Sequence, residues 1–226
     1  MGTTNIVISG QTYEGIDTVQ FPAPNGFAVF RFGYLAIDDD VDVTLPSGYT
    51  KLDKIVSAQN SYFMTDVKLT ANDIIESTFR YTSFVSAKGT IFTDRSANGY
   101  GFKMTSSSNI QSYRGGTPHN ATASKSLSAD EMSTLVIFEN NSILLGDTVL
   151  ATGFADGGKT SGNYMSIGEA SQSIIGELGT LKVIRNGVLF RKYVPCKNEN
   201  NVVGFYELAT ETFYQSAGTA YSEVSA

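Results

Sequence analysis

The sequence predicts an all-β chain of two parts: a small N-terminal β element over residues 1–35 and, after an acidic linker over 36–44, a two-sheet antiparallel sandwich over 45–226. Three observations carry that reading. Runs rich in β-branched and aromatic residues recur along the chain. Turn signals separate them about every 8–12 residues. The 22 glycines supply the turns such a fold requires. The one helix signal, the capping-box pattern Ser128-Ala129-Asp130-Glu131, has no amphipathic run behind it, so at most one helical turn is expected there.

In chain order, Asn5-Ile6-Val7-Ile8 is a short apolar run closed by Ser9-Gly10. Thr18-Val19-Gln20-Phe21 alternates with period two up to Pro22, and Phe27 to Phe32 follows the turn pair Asn25-Gly26. Three short strands form a sheet but hardly a core, and a segment of this size cannot offset its ordering entropy alone. The element is therefore expected to dock on its own sandwich, a sister subunit or a larger assembly, with Ile6, Ile8, Val19, Phe21, Val29 and Phe30 as the anchoring side chains. Asp38-Asp39-Asp40-Val41-Asp42 reads as a solvated linker. Its carboxylates suit calcium in kind, but the glycine and the distal glutamate of an EF-hand loop are missing.

Beyond Leu45-Pro46, where proline enforces extended backbone at the preceding residue, strand and turn alternate. Ile74 to Tyr81 and Thr90 to Thr93 are strand-like. Leu135 to Phe138 and Ile143 to Leu145 flank a hairpin turn at Glu139-Asn140-Asn141-Ser142. The clearest hairpin is Leu181 to Phe190, because Asn186-Gly187 tolerates the two positive φ angles of a type I′ turn. Leu181, Val183, Val188, Phe190, Tyr206 and Leu208 are expected in the closing strands. Pro195-Cys196 is expected to end one strand with Cys196 half-buried, and Val203 begins the next after the polar loop 197–201.

Composition removes several classes. Sixteen Lys and Arg against 22 Asp and Glu give a net charge of −6 with no basic run, so phosphate backbones and anionic membranes repel the chain. The single cysteine, Cys196, rules out an internal disulfide and a zinc module. Met1-Gly2-Thr3-Thr4-Asn5 lacks the charged start and apolar core of a signal peptide, and no apolar run approaches the ~20 residues of a membrane span.

Two stretches carry a family resemblance. Leu189-Phe190-Arg191-Lys192-Tyr193-Val194-Pro195-Cys196, with Val203-Gly204-Phe205-Tyr206-Glu207-Leu208 and Phe213 to Thr219, resembles the closing strands of a concanavalin A-like (laminin G-like) jelly-roll module. Leu45-Pro46-Ser47-Gly48-Tyr49-Thr50-Lys51-Leu52 resembles its opening phrase. Ile8 to Val19 is similar to N-terminal segments of bacteriophage virion proteins. The resemblance implies a jelly-roll sandwich of the kind found in phage and gut bacterial surface proteins. It also implies a virion location and a non-enzymatic structural role as a capsid decoration, head fibre or tail-associated protein. The implied partners are other virion proteins, in a homo-oligomer or in many copies, and a host-surface glycan. The alternative is a lectin-like receptor-binding protein or adhesin, since the fold hosts lectins, glycan hydrolases and structural modules alike.

Few residues of the chain point to catalytic chemistry. Hydrolysis of glycans needs two carboxylates facing one cleft, and no strand presents alternating acids. Glu139, Glu169 and Glu177 read as solvated. The one histidine, His119, sits by Gly115-Gly116-Thr117-Pro118, which reads as a flexible loop and offers no triad. No catalytic residue, cofactor or metal site is expected. Tyr100, Tyr113, Tyr164 and His119 are the candidate glycan contacts, with loop packing as the competing role, and no tryptophan is present to stack a sugar.

Overall fold

A computed structural model describes residues 43–83, 89–94, 99–159, 161–170 and 172–224 in full, and the backbone of five short strands before them. Those five are β1 (Ile6–Ile8), β2 (Gln11–Tyr13), β3 (Thr18–Ala23), β4 (Gly26–Arg31) and β5 (Tyr34–Ile37). β1 pairs with β2, and β3-β4-β5 is an antiparallel meander. The side chains of Ile6, Ile8, Val19, Phe21, Val29 and Phe30 lie outside the described residues, as does the acidic run 38–42.

The sandwich opens with β6 (Tyr49–Lys51), β7 (Ile55–Ser57), β8 (Phe63–Met64), β9 (Asp73–Ser83), β10 (Gly89–Thr93) and β11 (Gly101–Met104). It continues with β12 (Asn109–Arg114), β13 (Thr117–Thr122), β14 (Ser133–Glu139), β15 (Ser142–Leu145), β16 (Thr148–Thr152) and β17 (Ser166–Ile167). It closes with β18 (Ile175–Arg185), β19 (Val188–Asn198), β20 (Val203–Glu207), β21 (Thr212–Gln215) and β22 (Ser222–Glu223). The larger sheet, of 11 strands, runs β16-β15-β14-β9-β18-β19-β20-β21, with β6 beside β19 and β7 between β18 and β22. The smaller runs β13-β12-β11-β10-β17-β8. The chain is thus an all-β, two-sheet antiparallel sandwich, with no helix among the described residues. Backbone of β5 lies against β19, so the N-terminal meander meets the sandwich at its larger sheet.

Alternation sets the interior. Along β9, Asp73, Ile75, Ser77 and Phe79 are buried while their neighbours are only half so, which is the period-two pattern of a strand facing a core on one side. Phe79, Phe92, Phe102, Phe154, Tyr193 and Phe205 are fully buried between the sheets. Each large side chain of this kind contributes about 1.5–3 kcal/mol relative to exposure. Phe63 gathers Phe205 at 5.4 Å, Tyr214 at 5.1 Å and Tyr193 at 6.0 Å between ring centroids, tying the short strand β8 to the closing strands.

The turns follow from residue chemistry. Three hairpins close on two residues that both have positive φ: Gly115-Gly116 (56° and 81°), Asn140-Asn141 (47° and 60°) and Asn186-Gly187 (52° and 74°). These are the type I′ geometries whose twist matches the strands they join. The segment read as a flexible loop around His119 is one of them. Pro118 is tolerated because β13 is the outermost strand of its sheet. Ser128 Oγ accepts from the Asp130 N–H at 3.0 Å in a bend, and no helical turn forms there.

The closing strands differ from expectation in two places, at Leu208 and at Pro195-Cys196. Leu181, Val183 and Tyr206 are buried, Val188 opens β19 at the hairpin tip and is 51% exposed, and Leu208 lies just past the end of β20 in a turn. Phe190 is half-buried, with the guanidinium carbons of Arg185 and Arg191 each 4.1 Å from its ring centroid. Pro195 and Cys196 do not end a strand, for β19 runs through both to Asn198. The Pro195 carbonyl accepts the Leu52 N–H at 2.9 Å. Since a residue's N–H and C=O point to the same edge, proline's missing donor falls on that side, next to the end of β6, and not on the β20 ladder.

Candidate functional site

The predicted glycan contacts do not converge. Tyr100 is 3% exposed, a core residue whose hydroxyl donates to Asp156 Oδ2 at 2.7 Å, so its ring offers no face to a sugar. Tyr113 and His119 lie on adjacent strands, but Tyr113 pairs across from Pro118 and His119 from the buried Ser112, which puts them on opposite faces of the small sheet. His119 is half-buried, its Nε2 3.0 Å from the Ala155 carbonyl and its ring 5.5 Å from Phe154. Tyr113 and Tyr164 are exposed, with Lys103 Nζ 5.9 Å and Lys68 Nζ 5.2 Å from their respective ring centroids.

The acids are likewise not where the sequence puts them. Glu177 is buried rather than solvated: Arg80 grips it with Nη2 at 2.6 Å and Nε at 3.1 Å, and Lys54 Nζ adds 2.7 Å. Burial pushes this carboxyl up, but the ionic hydrogen bonds from Lys54 and Arg80 outweigh it and hold the group below its ordinary value. A carboxyl kept ionised has no proton to give at neutral pH. Glu169 is half-buried and accepts from the Thr90 hydroxyl at 3.0 Å. Glu139 is half-buried in β14. Glu207, fully buried, caps the turn after β20 by accepting from the Thr210 N–H at 2.7 Å and the Ala209 N–H at 3.0 Å. Cys196 is fully buried rather than half so, and desolvation pushes its thiol up to about 12.

What composition and spacing did not reveal is an opening at one end of the sandwich, where two of the type I′ turns meet the loop before β9. It has a volume of about 480 Å³ and is lined by Ala71, Asn72, Ile74, Arg114, Phe138, Asn140, Asn141 and Asn186. The four asparagines are exposed and form its lip, while Arg114 and Phe138 are buried beneath. The wall is knit by backbone and Asx bonds. Asp73 Oδ2 accepts the Thr70 N–H at 2.8 Å, the Asp73 N–H reaches Thr70 O at 3.1 Å, and the Asn186 N–H donates to Asn72 O at 3.3 Å.

Arg114 is the last inward-facing residue of β12, in register with Ile110 and Ser112. Its Nη1 donates to Asn141 Oδ1 at 2.7 Å and Phe154 O at 2.8 Å, and its Nη2 to Ala71 O at 2.9 Å. Its Nε–H, also buried, meets no acceptor. Desolvation lowers its basicity; Asp156 and Tyr100 act in the opposite sense from a distance. Asp156's own oxygens are engaged by the Tyr100 hydroxyl and, at 2.5 Å, the Gly158 N–H.

Phe138 supports the guanidinium, whose carbon is 5.0 Å from its ring centroid. Strict alternation along β14 would turn Phe138 outward after the buried Ile137. A register shift between Ile137 and Glu139, with Phe138 at φ 74°, turns it inward instead. Positive φ in a bulky residue costs on the order of 1–3 kcal/mol. The strand carries that strain, and the result is an aromatic floor under a buried cation.

A second, smaller cavity of about 190 Å³ lies on the outer face of the large sheet, among Val43, Lys51, Glu76, Thr78, Thr134, Thr180, Lys182, Lys192 and Val194. Lys182 Nζ meets Glu76 Oε1 at 2.6 Å there, and the Thr78 and Thr134 hydroxyls share a hydrogen bond of 2.8 Å. Among the described residues no group of three or more His, Cys, Asp or Glu side chains is placed to hold a metal ion.

The architecture and the opening define an antiparallel β-sandwich with a polar, arginine-floored depression at its hairpin end. Compared with protein-family models, curated proteins and solved structures, the chain matches none of them.

Proposed function

We propose that this chain is a non-enzymatic structural protein of a bacteriophage particle, its N-terminal element anchoring it and its concanavalin A-like jelly roll displayed outward. The observation that carries the reading is topological. The strands before residue 38 form their own two- and three-stranded sheets, which extend neither sheet of the sandwich and meet it where β5 lies against β19, an arrangement that suits an attachment piece beside a display module. The closing and opening phrases of the sandwich, with their jelly-roll likeness, supply the particle context. The state of the interior acids supports a role without catalysis. Asp73, Glu177 and Glu207 are each held in place by cations or backbone N–H groups rather than poised in a cleft.

The test is a deletion of residues 1–35 followed by electron microscopy of purified particles. The reading expects the full chain as regular extra density and the truncated chain absent from particles while still made. Full occupancy by the truncated chain overturns it. The second reading, a carbohydrate-binding adhesin, is favoured by one observation, the amide-lipped opening above Arg114. The two are compatible, since a displayed module can also adhere.

A further inference from the structure

We infer that the opening at the hairpin end is the seat of a carboxylate-bearing sugar, held by Arg114 through the ligand's acid and by the asparagine lip through its hydroxyls. The inference is independent of whether the chain rides on a particle.

Arg114 has no carboxylate in hydrogen-bond contact. Arg114 is 6% exposed. A cation removed from water is costly unless an anion and a full set of acceptors replace the solvent. Two half-buried arginines among the described residues meet a carboxylate directly: Arg80 pairs with Glu177, and Arg185 forks onto Asp73 at 2.7 and 2.8 Å. Arg114 instead donates to an amide and two backbone carbonyls, all neutral, and its Nε–H donates to nothing. The protein thus leaves the hydrogen-bonding capacity of this guanidinium partly unfilled and its charge without a carboxylate in contact.

The surroundings describe the remainder of the ligand. The lip is four asparagine side chains, each with acceptor and donor ends, the pattern that suits vicinal hydroxyl groups better than an apolar body. Among the described residues that line the opening, Arg114 is the one charged side chain. At about 480 Å³ its volume falls within the range small-ligand sites span, roughly 300–1,000 Å³. The strain at Phe138 is spent at this point of β14 and at the base of this opening.

The turns themselves supply the variant that keeps the fold. Aspartate, like asparagine, is enriched at positive φ, and Asp-Gly serves a type I′ turn as Asn-Gly does. Asn140→Asp with Asn186→Asp therefore preserves both hairpins while adding two negative charges at the lip. The experiment titrates the full chain with D-glucuronate, D-galacturonate and N-acetylneuraminate, and in parallel with D-glucose and D-galactose, by calorimetry and ligand-observed NMR. Saturable binding of at least one acidic sugar, at least about tenfold tighter than of the neutral sugars and weakened at least about tenfold in the double variant, is the expected result. The thermal midpoint of the variant, measured alongside, should stay near that of the parent. Absence of acidic-sugar binding to the parent chain overturns the inference. So does binding that neutral sugars match, or that the double variant retains at full strength.

Discussion

Two regions of this sandwich bury charge, and they do so in opposite ways. On the large sheet, Glu177 sits between Arg80 and Lys54 with both of its oxygens taken by cations. At the hairpin end, Arg114 sits among neutral acceptors with one donor unused, above a phenylalanine held at positive φ. The first arrangement is complete and resists change, as buried groups that are fully matched do. The second is incomplete, strained and open to solvent at its rim. The contrast shows that burial of a charged side chain says little about function until its partners are counted.

Substitutions in the two regions should have effects of different size. The largest effect is expected at the floor of the opening. Phe138→Ala removes a fully packed ring and should cost about 3–5 kcal/mol in urea unfolding. Phe138→Gly leaves the same void but takes φ 74° without strain, so it should be less damaging than the alanine variant by about 1 kcal/mol. If alanine and glycine prove equally damaging, the strain assigned to Phe138 is absent.

Next comes the completed cluster. Glu177→Gln leaves Arg80 and Lys54 facing a neutral amide; because both cations are partly exposed, a loss of about 2–3 kcal/mol is expected rather than the full penalty of a buried orphan charge. The pH dependence follows from the sign of the shift. The folded carboxyl titrates below its ordinary value of 4.5, so its stabilisation is present above that value and fades as pH falls through the folded-state value. The stability gap between parent and Glu177→Gln should therefore be constant near neutrality and shrink below about pH 4.5. A gap that widens on acidification would contradict the ion-pair assignment.

A smaller effect is expected at the lip. Asn141→Gly keeps the type I′ turn but removes the amide that receives Arg114 at 2.7 Å, for about 1 kcal/mol. Because the guanidinium then loses its orientation, acidic-sugar affinity should fall further than stability does. The smallest response is reserved for Cys196. Buried and with its thiol pushed up to about 12, it should resist alkylation at pH 8 in the folded chain and react promptly once unfolded.

How far the sequence discloses these features depends on how local their causes are. The hairpins at Asn140-Asn141 and Asn186-Gly187 are legible because two adjacent residues that accept positive φ determine a type I′ turn. The hairpin ending in Thr117–Thr122 was obscured by Pro118, whose tolerance depends on β13 having no neighbour beyond it, a fact of topology. Glu177 read as solvated because its partners lie 97 and 123 residues away. Tyr100 read as a loop residue because its glycine neighbours mask a core position fixed by strands it never touches in sequence.

The Arg114 opening is the extreme case. It is assembled from the loop before β9, two separate turns and the end of β12, none of which is unusual alone. One local signal was present: Arg114 occupies the inward register of Ile110 and Ser112, where an uncompensated cation is out of place. The side chains of the N-terminal anchoring residues and the acidic run 38–42 lie outside the described residues; the deletion of residues 1–35 tests the anchoring residues.

The account's central claim, that Arg114 is an incomplete site and the Glu177 cluster a complete one, is tested most directly by following arginine side-chain Nε–H resonances during an acidic-sugar titration. Arg80 and Arg185 already donate through Nε, to Glu177 at 3.1 Å and Asp73 at 2.7 Å, and their signals should stay fixed. The Arg114 signal should start at the upfield position of a donor without an acceptor and move downfield as ligand fills the opening. An Arg114 signal that remains still, or that moves no more than those of Arg80 and Arg185, would contradict the claim.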